Sequence, residues 1–174
     1  MTRRSAVGLA LLGTVACVLL MGCSGPSTDG PLQFSASKDT ICAPIPEYKD
    51  AAFGVLLPGD LNSNITIDSI VLVNAKNAVL GKTSLMPVTT GPRLLLEQYP
   101  PTKQFPTNWH KAKPAIGTAI EPRTAYELVL EIRSNGRNPA HLSGVVVTYT
   151  SAGKKYEART HLSLVLKKAA SCTS

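Results

Sequence analysis

The sequence lacks the short motifs by which most enzymes bind or attack their substrates. It has no Gly-x-Ser-x-Gly nucleophile elbow, no phosphate-binding loop and no Gly-x-Gly-x-x-Gly dinucleotide fingerprint. Its acidic residues are scattered, and the one close pair, Glu127 and Glu131, falls on the polar, solvent-facing side of a predicted strand. We therefore expect no catalytic residues and no enzymatic activity. The remote alternative is a hydrolase whose site the sequence does not reveal.

Residues that bind metals are also sparse. No two of the histidines, His110, His141 and His161, are three or four residues apart, and the chain has only 3 methionines. A copper-binding protein of the periplasm would need a cluster of His and Met, and a zinc site would need closely spaced His or Cys. We expect no metal site and no cofactor, with His161 on the outer face of a strand and His141 in a turn.

A basic and then apolar leader opens the chain. Arg3 and Arg4 precede an uncharged run from Ala6 to Gly22, which at about 17 residues is short for a membrane-spanning helix of about 20. This pattern is typical of a secretory signal peptide; the alternative is an uncleaved anchor helix. The run closes with Leu20-Met21-Gly22-Cys23, which resembles the lipobox of bacterial lipoproteins.

The lipobox resemblance implies that the Cys23 thiol carries a diacylglyceryl group and that the chain is cut between Gly22 and Cys23. Because two or three acyl chains give stable anchoring, we expect a lipid-anchored protein on the extracytoplasmic face of a cell membrane. Export also removes nucleic acid as a partner, and the sequence has no nucleic-acid recognition motif.

The 4 cysteines divide between leader, anchor and domain. Cys17 leaves with the leader, Cys23 is lipidated, and Cys42 and Cys172 lie near the two ends of the folded part. Because exported proteins fold where disulfides persist, we predict a Cys42–Cys172 disulfide. Closing so long a loop stabilises by about 4–5 kcal/mol in the chain-entropy model. The alternative is a pair of free or metal-bound thiols.

The chain divides into a signal peptide (1–22), a lipidated cysteine with a flexible polar tether (23–37) and a folded domain (38–174). Its formal charge is +7 and becomes about +5 without the two leader arginines. Such a surplus would attract anionic lipid headgroups or acidic envelope polymers. The alternative is an ordinary charge that keeps the domain soluble.

Alternating apolar residues predict β-strands throughout the folded domain. A bulge is expected near Asp68, a hairpin loop at 151–154, and Pro92–Tyr99 is the one stretch that could form a helix. About seven short strands predict an all-β fold, an antiparallel immunoglobulin-like β-sandwich. The strands are expected at 53–57, 64–73, 78–81, 84–88, 125–133, 142–150 and 156–166.

Trp109, the strand Tyr126–Ile132 and the run Gly144–Tyr149 with Gly153 resemble the carboxy-terminal half of many uncharacterised bacterial immunoglobulin-like lipoproteins. The resemblance covers roughly residues 53–166. It implies the fold and an envelope location, and it implies no activity.

The most unusual segment is Tyr99–Pro122, which is rich in proline and has no convincing strand. Long irregular loops in compact domains are often functional, and this one interleaves aromatic and cationic side chains that could stack on sugar rings or hold an anionic ligand. The alternative is a crossover between sheets with Trp109 packed as an apolar plug. The candidate ligand-binding residues are Tyr99, Phe105, Trp109, His110, Lys111 and Lys113.

These observations favour a membrane-anchored envelope lipoprotein that acts as a binding or interaction module. Besides the membrane itself, its expected partner is an envelope protein or an anionic or carbohydrate envelope polymer. The alternative is a structural or accessory subunit that holds another envelope protein through an exposed sheet edge.

Overall fold

The computed structural model describes residues 25–36, 38–44, 50–58, 61–88, 92–137 and 139–167. The lipobox Leu20–Cys23 and Cys172 lie outside the described residues. Within the described part, no helix is both long and apolar enough to cross a membrane. The elements found there are β1 (Thr40–Pro44), β2 (Ala51–Leu56), β3 (Ile65–Leu72), β4 (Ala78–Pro87), β5 (Leu96–Gln98), α1 (Pro106–His110), β6 (Lys113–Pro114), β7 (Ala119–Ile120), β8 (Tyr126–Ser134), β9 (Ala140–Leu142), β10 (Val145–Ser151), β11 (Lys154–Arg159) and β12 (Ser163–Lys167).

Three sheets are formed by these strands, in the orders β5-β2-β8-β4-β6, β11-β10-β3-β7 and β1-β12-β9. Neighbouring strands are antiparallel except β1 and β12, which run parallel. The trios β2-β8-β4 and β3-β10-β11 have the order of strands B-E-D and C-F-G in an immunoglobulin constant-type domain. The prediction of an all-β sandwich of antiparallel sheets is confirmed, and the strand order of the two trios agrees with the immunoglobulin-like arrangement that was expected.

A shared kink joins β9 to β10 and β11 to β12, so that each pair is one bent strand. The pairing register shifts by one residue between Val146–Arg159 and Leu142–Leu164. At the kink Gly144 has a φ of 144°, and a Cβ there would collide with the carbonyl oxygen of Thr160. The Thr160 hydroxyl accepts the Val145 N–H at 2.9 Å, so the kink leaves no unsatisfied donor at that position.

The described part has seven principal strands, the number that was predicted. This count takes each kinked pair as one strand and leaves out β5, β6 and β7, which have three residues or fewer. Two of the predicted short strands, 78–81 and 84–88, are one strand, β4, whose pairing with β8 is irregular between Leu80 and Thr83. The predicted bulge in β3 is confirmed, because Thr148 pairs with Ser69 and Tyr149 with Ile67, which leaves Asp68 as the extra residue.

The core lies between the two larger sheets, where alternate residues of each strand point inward. Leu128, Leu130 and Ile132 of β8 are completely buried there and meet the inward residues of β10. Burying each such side chain contributes about 1.5–3 kcal/mol. Other large and fully buried members are Phe53, Leu57, Ile65, Ile67, Leu85, Ile120, Val147 and Tyr149.

Residues 27–34 lie against the second sheet. Ser27 exchanges two backbone hydrogen bonds of 3.3 and 2.8 Å with the edge of β11, and Leu32 is buried, with its N–H donating to the Tyr149 hydroxyl at 3.0 Å. The packed part therefore begins earlier than the predicted boundary at residue 38. Two apolar residues, Leu32 and Phe34, are too few to establish a periodicity in a polar run, so this docking was not predicted.

The prediction that Pro92–Tyr99 could form a helix is wrong, because this stretch contains β5, which pairs with the edge of β2. The helix of the described chain, α1, lies inside the segment that was expected to be irregular. Pro106 is at its start, where proline is tolerated because the first N–H groups of a helix have no partner within it.

Candidate ligand cleft beside Trp109

The segment from Pro92 to Ala115 covers the outer face of the five-stranded sheet. Leu94 and Phe105 of this segment are buried against Ala52, Met86 and Val129 of the sheet, forming a second, smaller apolar cluster. Gly54 permits the close approach, because a Cβ at that position would collide with the carbonyl oxygen of Leu94. The alternative expectation for Tyr99–Pro122, a crossover between sheets, describes part of it, because β6 belongs to the five-stranded sheet and β7 to the four-stranded sheet.

Trp109 lies on α1 at the margin of this cluster and is half-buried. Its ring meets the ring of Tyr99 edge to face, with centroids 5.5 Å apart and planes at 83°. Tyr99 forms a side-chain hydrogen bond with Ser84 of β4, and burial is the main cause that raises the pKa of its hydroxyl. The indole is thus held by an aromatic neighbour that is itself fixed to the sheet.

A cleft of about 360 Å³ opens between α1 and β4. It is lined by residues 82–84 of β4 together with Trp109, Ala112, Lys113 and Pro114. Strand pairing builds it, because Ser84 lies opposite Pro114 in the β4–β6 pair. Two lining residues, Lys82 and Lys113, are cationic, and none is acidic.

The predicted ligand-binding residues separate into three groups in the structure. Trp109 and Lys113 line the cleft, while the Tyr99 ring meets the indole edge to face and Phe105 belongs to the apolar cluster against which the indole packs. His110 and Lys111 are exposed and do not line it. Lys82 and Ser84, which do, were not predicted, since nothing in the sequence distinguishes them from other polar residues of a strand.

A charged cluster lies beside this cleft, centred on Glu131 of β8. Its carboxylate accepts the backbone N–H of Lys82 at 2.6 Å and two N–H groups of Arg133 at 2.8 and 2.9 Å. The Oδ2 atom of Asp50 lies 3.7 Å from Nε of Arg133. Gly81 leaves room for this arrangement, because a Cβ on it would force the Glu131 carboxylate to move.

The pKa values of the two acids in this cluster, Glu131 and Asp50, shift in opposite directions. Burial opposes the ionisation of Glu131, but the hydrogen bonds from Lys82 and Arg133 outweigh it, and its pKa is lowered. Burial raises the pKa of Asp50, and its side-chain hydrogen bond to Glu131 raises it further. Asp50 therefore takes up a proton more readily than Glu131 does.

Glu127, at the other end of the outer face of β8, accepts the backbone N–H of Leu94 at 3.0 Å. Burial is the main cause that raises its pKa. The sequence-based expectation that Glu127 and Glu131 face solvent is wrong, because each is only 3% exposed. The covering segment shields that face of the strand.

A second cavity, of about 260 Å³, opens at the edge of β2. β5 pairs only with Ala51–Phe53, and the N–H of Leu57 bonds to β8. Because hydrogen-bonded and non-hydrogen-bonded positions alternate along an antiparallel pair, the backbone groups of Leu56 point away from β8 at this edge. Phe34, Leu94, Leu95 and Leu162 give the cavity an apolar lining that also includes Arg93 and Glu127.

The described residues contain no group of three or more His, Cys, Asp or Glu side chains that could hold a metal ion. His110 and His161 are exposed, whereas His141 is half-buried in β9, so the prediction that it lies in a turn is wrong. Cys42 lies in β1, and its predicted partner is outside the described residues. The disulfide stays a prediction.

Comparison with known proteins gives no further assignment. No protein-family model, no curated protein and no solved structure matches this chain. What the Trp109 cleft can bind must therefore be inferred from its own lining, charge and rigidity.

Proposed function

We propose that the protein is a lipid-anchored module on the extracytoplasmic face of a bacterial membrane and that it holds a carbohydrate-containing envelope polymer against Trp109. The observation that carries this proposal is the half-buried indole, which forms a wall of the cleft. The cleft is at the lower end of the size range of small-ligand sites, about 300–1,000 Å³. A site of that size suits one or two rings of a longer chain.

The indole is well suited to a sugar ring because it offers both an apolar face and one N–H donor. Tyr99 fixes it from the side, and the backbone N–H of Trp109 bonds to the carbonyl of Phe105 at 2.8 Å. A ring that is already packed against neighbours loses less conformational entropy when a ligand binds than a free one would. Ser84 adds a hydroxyl to the lining of the same cleft.

The lipid anchor and the disulfide belong to the same proposal. Cys42 lies opposite Val165 in the parallel β1–β12 pair, and β12 ends at Lys167. The chain from there to Cys172 reaches at most about 18 Å, which is enough to return to Cys42. The bridge would tie β1 to the carboxy-terminal end of the domain.

Both covalent assignments have direct tests. Cys23→Ser should leave an unlipidated, uncut precursor, and normal fatty-acid labelling of this variant would contradict the anchor. Cys42 and Cys172 should resist alkylation until a reductant is added, and free thiols in the native protein would contradict the bridge.

Ligand binding can be followed through Trp109 itself, because the sequence contains one tryptophan. We expect a purified bacterial cell-wall glycan fraction to change its fluorescence and to co-sediment with the mature protein. Trp109→Ala should weaken binding about tenfold or more, as loss of a central aromatic does in other interfaces, while Trp109→Phe should retain most of it.

The matched control is Ile116→Ala. Ile116 is 53% exposed on the loop after β6 and does not line the cleft, so its removal should leave glycan binding unchanged. Equal co-sedimentation of wild type and Trp109→Ala would contradict the proposed site.

A second candidate function, an accessory subunit that holds another envelope protein, is favoured by the open edge of β2. An extended segment of a partner could pair with the backbone of Leu56 and insert an apolar side chain into the 260 Å³ cavity. Exposed Leu95, at 55%, lies beside it.

This candidate is tested by a photo-crosslinking residue at position 56 in the native envelope, with the same residue at position 71 as control. Val71 is 56% exposed on β3 and does not line the cavity. A protein adduct specific to position 56 would support the accessory role, and identical patterns at both positions would contradict it.

A further inference from the structure

The charge of the Trp109 cleft is what identifies the class of polymer it fits. We propose that the cleft selects an acidic polysaccharide, with one sugar ring against Trp109 and a carboxylate or phosphate group of the same chain attracted by Lys82 and Lys113. This inference rests on the proposed carbohydrate binding and adds the chemical class of the ligand.

Both cations are available to a ligand. Lys82 and Lys113 are exposed and line the cleft. Among the described residues, Arg133 forms ion pairs with acidic side chains, and neither lysine does. The nearest acid of the charged cluster, Glu131, is turned to the backbone N–H of Lys82 and to Arg133. Within the described ranges, the Lys82 ammonium therefore has no acidic side chain at ion-pair distance, although a carboxylate lies close to its main chain.

The same arrangement disfavours competing ligands. A cationic polymer would place positive charge beside two lysines with no acid in the lining, which is a repulsive contact. A neutral polymer could stack on the indole but would gain nothing from either ammonium. A simple polyanion without rings would gain the charge attraction but would leave the indole face uncovered. A chain that has both features uses the whole cleft.

The ammonium group is a compact point charge that suits carboxylate and phosphate alike. The structure therefore defines an anionic sugar chain, and the source of the negative charge has to be separated by experiment. The useful probes are polygalacturonate, its fully methyl-esterified form, which keeps the rings and removes the charge, and polyphosphate, which keeps charge and removes the rings.

The experiment measures Trp109 fluorescence while each probe is added to the mature protein. We expect polygalacturonate to bind at least about fivefold more tightly than its methyl ester, as expected for a favourable charge contribution of about 1 kcal/mol. Raising the ionic strength from about 20 to about 300 mM should remove much of this difference, because screening shortens the range of the attraction. Polyphosphate should change the fluorescence little, so its affinity is measured by competition against polygalacturonate and should be the weaker of the two.

Substitution of the lysines provides a second measurement. Lys82→Gln and Lys113→Gln should each weaken polygalacturonate binding about two- to fivefold and should leave the methyl ester unaffected. Lys111→Gln is the matched control, because Lys111 is exposed, carries the same charge and does not line the cleft. All three side chains are exposed, so the substitutions leave the core intact.

The outcomes separate the two proposals. Equal binding of the acid and its ester would overturn the acidic class and leave carbohydrate binding standing. Polyphosphate binding as tight as that of polygalacturonate would show a general anion patch and would also overturn it. Equal losses in Lys111→Gln and Lys82→Gln would do the same. If polygalacturonate does not bind, this inference fails, while co-sedimentation with the cell-wall fraction decides carbohydrate binding separately.

Discussion

Glu127 and Glu131 lie on the same outer face of β8, each 3% exposed, and each accepts a backbone N–H from a neighbouring segment. Burial raises the pKa of Glu127. The pKa of Glu131 is lowered although burial acts on it too, because the Lys82 N–H and the Arg133 guanidinium stabilise its charge. Burial alone therefore does not decide the charge of a carboxyl, because the hydrogen-bond donors around it also act on its pKa.

The two carboxyls also hold different parts of the molecule. Glu127 fixes Leu94, and with it the segment that covers the sheet. Glu131 fixes the irregular part of β4 at Lys82, the residue that lines the cleft. Glu127 therefore holds the segment that packs over the second apolar cluster, and Glu131 holds a wall of the cleft.

The largest effect is expected for Glu131→Ala. It removes the acceptor of the Lys82 N–H and the charged partner of Arg133, and hydrogen bonds to charged groups contribute about 1.5–3 kcal/mol. We expect the free energy of unfolding to fall by about 2–3 kcal/mol in urea titrations. Glu131→Gln, which keeps an acceptor and loses the charge, should lose less. An unfolding midpoint equal to that of wild type would show that the cluster does not contribute to stability.

Glu127→Ala should cost somewhat less, about 1–2 kcal/mol, because it leaves one buried N–H, that of Leu94, without its acceptor. Glu127→Gln retains that acceptor without a buried charge, and we expect its stability at neutral pH to equal or exceed that of wild type. If Glu127→Gln were as unstable as Glu127→Ala, the carboxylate charge and not its acceptor oxygen would hold the segment.

The pH dependence of stability should separate the two acids by sign. The raised pKa of Glu127 means that the folded state holds its proton more tightly, so stability falls as pH rises above the ordinary value of 4.5 through the folded pKa. The lowered pKa of Glu131 gives stability that is present above 4.5 and is lost as pH falls through its folded pKa. Glu127→Gln should flatten the stability profile above 4.5, and Glu131→Gln should flatten it below.

Those profiles come from thermal or urea unfolding at a series of pH values. Identical profiles for the two Gln variants would mean that the two carboxyls share one environment, contrary to the hydrogen bonds described.

The smallest effect is expected for Arg133→Gln. The Arg133 side chain is 48% exposed, so water screens its charge, and the backbone N–H of Lys82 still stabilises the Glu131 carboxylate after this substitution. A loss of stability as large as that of Glu131→Ala would indicate that Arg133, and not the backbone N–H of Lys82, is what keeps Glu131 ionised.

The strand β8 shows how far the sequence pattern reaches. Alternation placed Leu128, Leu130 and Ile132 on the core side, and they are buried there. The other face was predicted to be wet, because a polar residue in a strand pattern indicates which residues share a face but not what covers that face. The cover comes from Pro92–Ala115, and such long-range packing leaves no local signature.

The candidate site was predictable to the same limited degree. The interleaving of aromatic and cationic residues singled out Trp109 and Lys113 as candidate ligand-binding residues, and both line the cleft. It also included His110, which follows Trp109 on a helix and so lies about 100° further round its axis. Lys82 could not be found, since strand pairing brings it to the cleft from a distant part of the chain.

The docking of Ser27 along β11 limits how the domain can be oriented at a bilayer. A diacylglyceryl group on Cys23, as proposed, would be separated from Ser27 by about four residues of chain, at most about 14 Å when extended. Lys154 and Lys155, both exposed, lie at the same end of the domain, and a basic residue at an anionic surface gains about 1 kcal/mol. The β10–β11 hairpin would therefore rest among the headgroups. The domain would then have a fixed membrane-proximal end and not a long flexible tether.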